Sequence, residues 1–238
     1  MKILLTGSTQ GIGKAIFDRL CNKHEVYTIN RRSSNCNEYI CDLSDIDAVN
    51  NLCNEISNES WDVLINNAGG SFPCEFEKLT PNDIQDRINL NFIAPLLIMQ
   101  AVLPKMKSNG FGRIINISSV TSKSPVPYLH VYGAAKSALD SLTKSLSLYY
   151  SNMNICINSI CPGSVNTDSS IIGRNEISRL RFSEEAIEEY QNNMIAENGL
   201  GRMLKPNEIA DMVEFLLSSA GECITGQTIN VCGNMEMN

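Results

Sequence analysis

The sequence predicts an α/β fold: a single Rossmann-like, doubly wound domain with a seven-stranded, mostly parallel sheet covered by helices on both faces. Three observations lead there. Short runs rich in Ile, Val and Leu alternate with helix-length amphipathic segments along all 238 residues. A glycine-rich turn joins the first strand-like run to the first helix-like one. No linker, repeat or low-complexity tract divides the chain, so residues 1–238 read as one domain. Strands that alternate with helices imply right-handed βαβ crossovers, and these make a parallel sheet.

The elements follow in order. Residues 2–5 form the first strand and run into Thr6-Gly7-Ser8-Thr9-Gln10-Gly11-Ile12-Gly13. Gly7 permits a tight turn at positive φ, Gly11 lets the backbone approach a pyrophosphate, and Gly13 lets helix pack closely on strand. The helix 13–22 follows, with Ile12, Ile16 and Leu20 as one apolar stripe. Its free N-terminal amides and dipole suit phosphates. The second strand, 25–29, leads to Asn30-Arg31-Arg32, and the third is 39–41. A helix over 45–58 precedes the strand 63–65, which ends in Asn66-Asn67-Ala68-Gly69. A long helix over 82–106 leads to the strand 113–117 and then Ser118-Ser119. The helix 132–150 and the strand 155–160 come next, followed by Pro162-Gly163-Ser164-Val165-Asn166-Thr167. Residues 167–201 break the rhythm: they are polar, with Glu184, Glu185, Glu188 and Glu189 at helical spacing. Such a stretch is either a solvated surface helix or a mobile substrate lid placed after a strand. A helix over 206–219 and a strand over 228–231 close the chain.

Composition removes several classes. With 43% apolar and 19% charged residues the chain is an ordinary globular mixture, so disordered and collagen-like classes drop out. Nineteen Lys and Arg against 26 Asp and Glu leave a net charge of −7, which argues against a nucleic-acid partner. The nine cysteines are odd in number, include no CxxC pair, and leave His24 and His130 without a neighbouring cysteine pair, so no metal site is expected. The first apolar run is too short for a secretory signal, and no uninterrupted apolar stretch reaches the roughly 20 residues of a membrane span. The expectation is a soluble, cytoplasmic protein with no membrane partner, whose reduced thiols serve as small hydrophobes.

Tyr132 and Lys136, four residues apart, share one helix face. A tyrosine hydroxyl has an ordinary pKa of about 10, and a nearby ammonium stabilises its phenolate. Ser119 lies 13 positions upstream of Tyr132. A serine alone could suggest a hydrolase nucleophile, but no Gly-x-Ser-x-Gly elbow surrounds this one. The spacing Thr6-Gly-x-x-x-Gly-Ile-Gly, with Asn66-Asn67-Ala68-Gly69, Ser119, Tyr132-Gly-Ala-Ala-Lys136, Pro162-Gly163 and Gly226-Gln227, resembles the classical short-chain dehydrogenase/reductase family over essentially the entire chain. One departure is Cys232-Gly233-Asn234, where the family often has paired glycines.

The resemblance implies an oxidoreductase that moves a hydride between a nicotinamide and a carbonyl or secondary alcohol. Tyr132 would be the acid/base, Ser119 would polarise the substrate oxygen, and Lys136 would serve both Tyr132 and the nicotinamide ribose. Asn91 would hold a water that joins Lys136 to solvent, although Asn89 competes for this assignment. Ser8, Gly11, Ile12 and Gly13 would meet the phosphates. Asp42, Leu43, Asn66, Ala68 and Gly69 would line the adenosine side, with Pro162, Gly163, Val165 and Thr167 near the nicotinamide. Asn30 stands where members that prefer NAD carry an acid, and Arg31 and Arg32 follow it, which favours NADP(H). The nearest-looking subgroup is the 3-oxoacyl-[acyl-carrier-protein] reductases. The net charge of −7 and the lack of basic residues at 108–111 and 151–154 favour a free small carbonyl over an acyl carrier protein, with Lys105, Lys107, Arg174, Arg179 and Arg181 as the basic residues on the other side of the balance. A homotetramer or dimer is expected through the two long helices. A catalytically silent regulator is the other reading, but this chain keeps Asn91, Ser119, Tyr132 and Lys136.

Overall fold

A computed structural model describes residues 1–33, 37–182 and 199–235. The strands are β1 (Lys2–Thr6), β2 (Glu25–Asn30), β3 (Glu38–Ile40), β4 (Val63–Asn66), β5 (Gly112–Ile117), β6 (Ile155–Pro162) and β7 (Thr228–Val231). They form one sheet in the order β3-β2-β1-β4-β5-β6-β7. All six pairings are parallel, so the sheet is parallel throughout.

The helices are α1 (Gly11–Leu20), α2 (Ile46–Ile56), α3 (Pro81–Ile88), α4 (Ala94–Asn109), α5 (His130–Tyr150), α6 (Asp168–Arg181) and α7 (Pro206–Leu217). Side chains alternate across each strand and therefore feed two cores. Leu4, Leu64, Ile114 and Ile157 pack with Val49 and Leu52 of α2, Ile98 and Val102 of α4, and Leu139 of α5. Ile3, Leu5, Val63, Ile65 and Ile115 pack with Ile16 and Leu20 of α1 and Ile209 and Val213 of α7. Burial on both faces explains why the strands read as near-continuous apolar runs.

One element differs from the expectation, and one is described only in part. The long helix expected over 82–106 is one helical run, Pro81–Asn109, in which a π-helical turn at Asn89–Ile93 separates α3 from α4. Thr80 and Asp83 form a capping box that starts it, and Gly110, at φ 66, ends it in the left-handed conformation. This run of 29 residues is long and apolar enough to cross a bilayer. Its apolar side is instead packed on the sheet through Ile98, Met99, Val102 and Met106. The expected lid over 167–201 opens as an ordered helix, α6. Residues 183–198, with the four glutamates, lie outside the described residues.

Candidate active site

The chain leaves β1 towards β2 and β3 and returns to the other side of β1 as β4. A crevice forms outside the carboxyl ends of the strands at such a reversal. Gly7 (φ 72) and Gly11 (φ 55) adopt the left-handed backbone there. A Cβ on Gly13 would lie 1.8 Å from the Gly7 carbonyl oxygen and 2.4 Å from Asn67 Nδ2, so only glycine fits. Asn67 Nδ2 donates to the Thr6 (3.0 Å) and Gly7 (2.8 Å) carbonyls. Thr6 Oγ1 accepts from the amides of Asn67 and Ala68, both at 2.9 Å. The loop after β4 is thereby riveted to the glycine turn, and a Cβ on Gly7 would lie 3.0 Å from Ala68 Cα.

The segment after β6 supplies the facing wall. Pro162 ends the strand, and Gly163 lies so close to Cys232 that a Cβ would come within 2.8 Å of its backbone. Val165 bridges to Leu204. Thr167 caps α6 by accepting from Ser170 N (3.2 Å), and its methyl group would lie 3.1 Å from a Cβ on Gly11. Gln10 Nε2 donates to Ser169 Oγ (3.1 Å), so the start of α6 touches the glycine turn.

At the end of β2, Asn30 is buried. Its Oδ1 accepts from Ser8 N (2.9 Å), and its Nδ2 donates to Ser8 Oγ (2.9 Å) and to Glu38 Oε1 (2.7 Å). Its side chain braces the glycine turn. Arg31 and Arg32 beyond it are exposed. Asp42 accepts from the amide (3.0 Å) and hydroxyl (2.7 Å) of Ser44. These bonds, the amide's foremost, with help from the Arg31 charge, hold its carboxyl below the ordinary carboxylate pKa. Leu43 and Ile12 pack into the two cores. Asn66 is buried, and its Nδ2 donates to Asn116 Oδ1 (2.8 Å) in the sheet, so its side chain turns away from the crevice.

Ser119, Tyr132 and Lys136 converge at the end of β5. Lys136 Nζ lies 5.7 Å from the Tyr132 ring centre and donates to the Ile117 carbonyl (2.9 Å). Burial pushes the Tyr132 phenol up, and its hydrogen bond with Ser119 pulls it back. Burial pulls the Lys136 ammonium down to about 8, with Asp140 opposing the shift. Ser119 Oγ also accepts from Thr121 Oγ1 (2.9 Å). Asn91 is fully buried in the π-turn, where its Oδ1 accepts from Gly70 N (3.2 Å) and its Nδ2 donates to the carbonyls of Gly70 (3.1 Å) and Arg87 (2.9 Å). A Cβ on Gly69 would meet Asn91 Oδ1 at 2.8 Å and Lys136 Nζ at 3.3 Å, so both groups reach the same spot. Asn89 instead donates to the Ser44 carbonyl (2.9 Å), away from Lys136.

Two residues here, Glu38 and Asp140, escaped the sequence reading, whereas Arg174 was already among the basic residues set against the loss of steering. Glu38 brings a carboxylate to the end of β2 through β-sheet register, opposite Thr28. Arg174 lies half-buried on α6. Asp140 is buried one turn beyond Lys136; its Oδ2 accepts from Ser122 Oγ (2.6 Å) and Cys161 Sγ (3.7 Å), while its Oδ1 has no partner among the described residues. Only for Asp140 was there a sequence signal, its spacing from Lys136.

The crevice suits a dinucleotide: α1 starts at the glycine turn without a side-chain cap, and the buried Lys136 ammonium stands at the end of β5. The sequence profile described as short chain dehydrogenase matches residues 1–175. A 3-oxoacyl-[acyl-carrier-protein] reductase of Aquifex aeolicus is 30% identical over 250 residues, covering 98% of this chain and 96% of that one. A tropinone reductase homolog of Datura stramonium is 30% identical, covering 100% of this chain and 92% of that one. Among solved structures, an actinorhodin polyketide ketoreductase variant with NADPH superposes at a TM-score of 0.89, with 28% identity over 98% of this chain and 96% of its own. The conserved architecture and this likeness along the whole chain lead to one assignment: the protein belongs to the classical short-chain dehydrogenase/reductase family, beside its 3-oxoacyl reductases, and is an oxidoreductase that uses a nicotinamide cofactor on small molecules.

Proposed function

We propose that the protein is an NADP(H)-dependent carbonyl reductase in which Tyr132 exchanges a proton with the substrate oxygen. The observation that carries the reading is the convergence of the Tyr132 phenol, the Ser119 hydroxyl and the Lys136 ammonium at the mouth of the crevice. A bound nicotinamide supplies the hydride. Ser119 holds and polarises the carbonyl oxygen, and Tyr132 gives that oxygen its proton. Lys136 stabilises the phenolate left on Tyr132 and offers a donor to the ribose. Asn91 Oδ1, beside Lys136 at Gly69, is placed to hold a water that returns the proton from solvent.

Arg31 and Arg32, exposed past the end of β2, support NADP(H), as does the NADPH bound by the actinorhodin ketoreductase. Gly7, Ser8, Gly11 and Gly13 would cradle the phosphates, with Thr167 and Gly163 at the nicotinamide end. Segment 167–201 would cover the substrate. Exposed Leu148 and Tyr149 at the end of α5 support a homo-oligomer, and the free thiols of Cys41, Cys156 and Cys161 suit a cytoplasmic setting. A second reading, 3-oxoacyl-[acyl-carrier-protein] reduction, is favoured by the Aquifex relative.

The test is loss of NADPH absorbance over a panel of ketones, oxo esters and aldehydes. Tyr132→Phe is expected to lower kcat by about 100-fold or more, with NADPH binding kept. No turnover of any carbonyl, or wild-type turnover by Tyr132→Phe, overturns the reading.

A further inference from the structure

The inner stripe of α6 carries a cation, Arg174, with no counter-charge among the described residues. Residues three and four apart share a helix face, so Ser170, Gly173, Arg174 and Ile177 line one side. Three contacts turn that side to the crevice. Thr167, at the start of the helix, touches Gly11. A Cβ on Gly173 would lie 3.0 Å from Ser71 Oγ, in the loop after β4. Near the other end, the Tyr128 hydroxyl donates to the Leu180 carbonyl (3.2 Å), and Tyr128 is held at φ 70 just upstream of Tyr132.

Gly173, Ile177 and Ser178 are buried and Arg174 is half-buried beside them, whereas Arg179 and Arg181, nearer the end of the helix, are exposed. Helical side chains lean towards the N-terminus, and Arg174 does so: its Nη1 donates to Ser170 Oγ (3.3 Å), on the side of the glycine turn. Among the described residues that neutral hydroxyl is the guanidinium's only partner. Burial lowers its pKa, and no acid among the described residues opposes the shift. A charge drawn partly out of water without a counter-ion is costly, and a guanidinium fork matches an oxyanion in shape and charge.

We propose that Arg174 is an anion clamp over the crevice, taking a phosphate or carboxylate group brought either by the cofactor or by an acidic carbonyl substrate. The proposal deepens the carbonyl-reductase reading and rests on it for the identity of the crevice.

The test reads binding and needs no turnover. In one arm, NADPH is titrated by fluorescence onto wild type, Arg174→Gln and Arg174→Lys. In the other, acetoacetate and its uncharged methyl ester are titrated by calorimetry onto each protein's NADP⁺ complex, which cannot reduce a ketone. A loss of about tenfold or more in NADPH affinity for Arg174→Gln, partly restored in Arg174→Lys, assigns the anion to the cofactor. Unchanged NADPH affinity, with acetoacetate binding reduced about tenfold to the level of its ester, assigns it to the substrate. Changes below about threefold in both arms overturn the clamp, and so does a wild type that binds no acetoacetate while NADPH affinity is unmoved. Equal losses in both variants together with a lowered Tm mark a packing role and overturn it too. Ketone turnover by the wild type is measured separately, so failure of the clamp and failure of the reductase reading are distinguishable.

Discussion

Lys136 sits under two opposed influences. Burial favours its neutral form and brings its pKa from 10.5 to about 8, while Asp140, one turn along α5, favours the ammonium. Tyr132, Asp140, Cys161 and Asn91 surround it, and Cys161 stays a thiol because burial pushes it up to about 11. Lys136 is therefore charged below pH about 8 and neutral above it. Since the proposed role requires the ammonium, kcat/KM for carbonyl reduction should fall above that pH, by up to about tenfold per unit. A profile flat to pH 10 would remove Lys136's charge from the mechanism. Arg31 makes a separate prediction. An arginine bond to a 2′-phosphate is worth about 1.5–3 kcal/mol, so Arg31→Ala should cut the ratio of NADPH to NADH affinity by roughly ten- to a hundredfold. Parallel fluorescence titrations of the two cofactors measure that ratio, and an unchanged value rejects the assignment.

The π-turn at Asn89–Ile93 decides what the two asparagines do. Both are buried and both hold backbone groups, Asn91 those of Gly70 and Arg87 and Asn89 that of Ser44. Alanine at either position strands buried polar groups at a cost of about 1–3 kcal/mol. Thermal melts should show similar losses of a few degrees for Asn91→Ala and Asn89→Ala, at about 2–4 °C per kcal/mol. Only Asn91→Ala should also lower kcat, because only Asn91 reaches Lys136's side of Gly69. Matching kcat losses in both variants would reduce Asn91 to a structural brace. The sequence showed a single helix here because apolar periodicity does not register one added residue in a turn. The candidate pair was legible, and the family resemblance favoured Asn91, the one that reaches the Lys136 side of Gly69.

At the scale of the whole molecule, the net charge of −7 bears on delivery of the substrate. Acyl carrier proteins are acidic, and partners of like sign lose electrostatic steering. Although 3-oxoacyl-[acyl-carrier-protein] reductases are among its relatives, this chain should have a kcat/KM for small ketones at least equal to that for acetoacetyl-carrier protein. Steady-state kinetics on both substrates decide it, and a hundredfold advantage for the carrier would reverse the preference.

The sequence by itself determined the sheet, the order of its helices and the chemical residues at the strand ends. Those features are written in local signals: apolar alternation, glycines before a helix, Tyr132 and Lys136 four apart. It placed β7 at 228–231, where the structure has it, and most other strands within a residue or two. Tertiary structure decided the rest. Asn30, read as standing at the cofactor-selecting end of the second strand, is buried and bonded to Ser8 and to Glu38 of the neighbouring strand. Asn66 turns into the sheet because Asn116 stands beside it in the β4–β5 register. The start of segment 167–201 is a helix packed through Gly173 near Ser71 and through Tyr128 bonded to Leu180. Each of these outcomes depends on a partner distant in sequence, and only closing the fold reveals which polar groups meet one another and which are left facing the crevice.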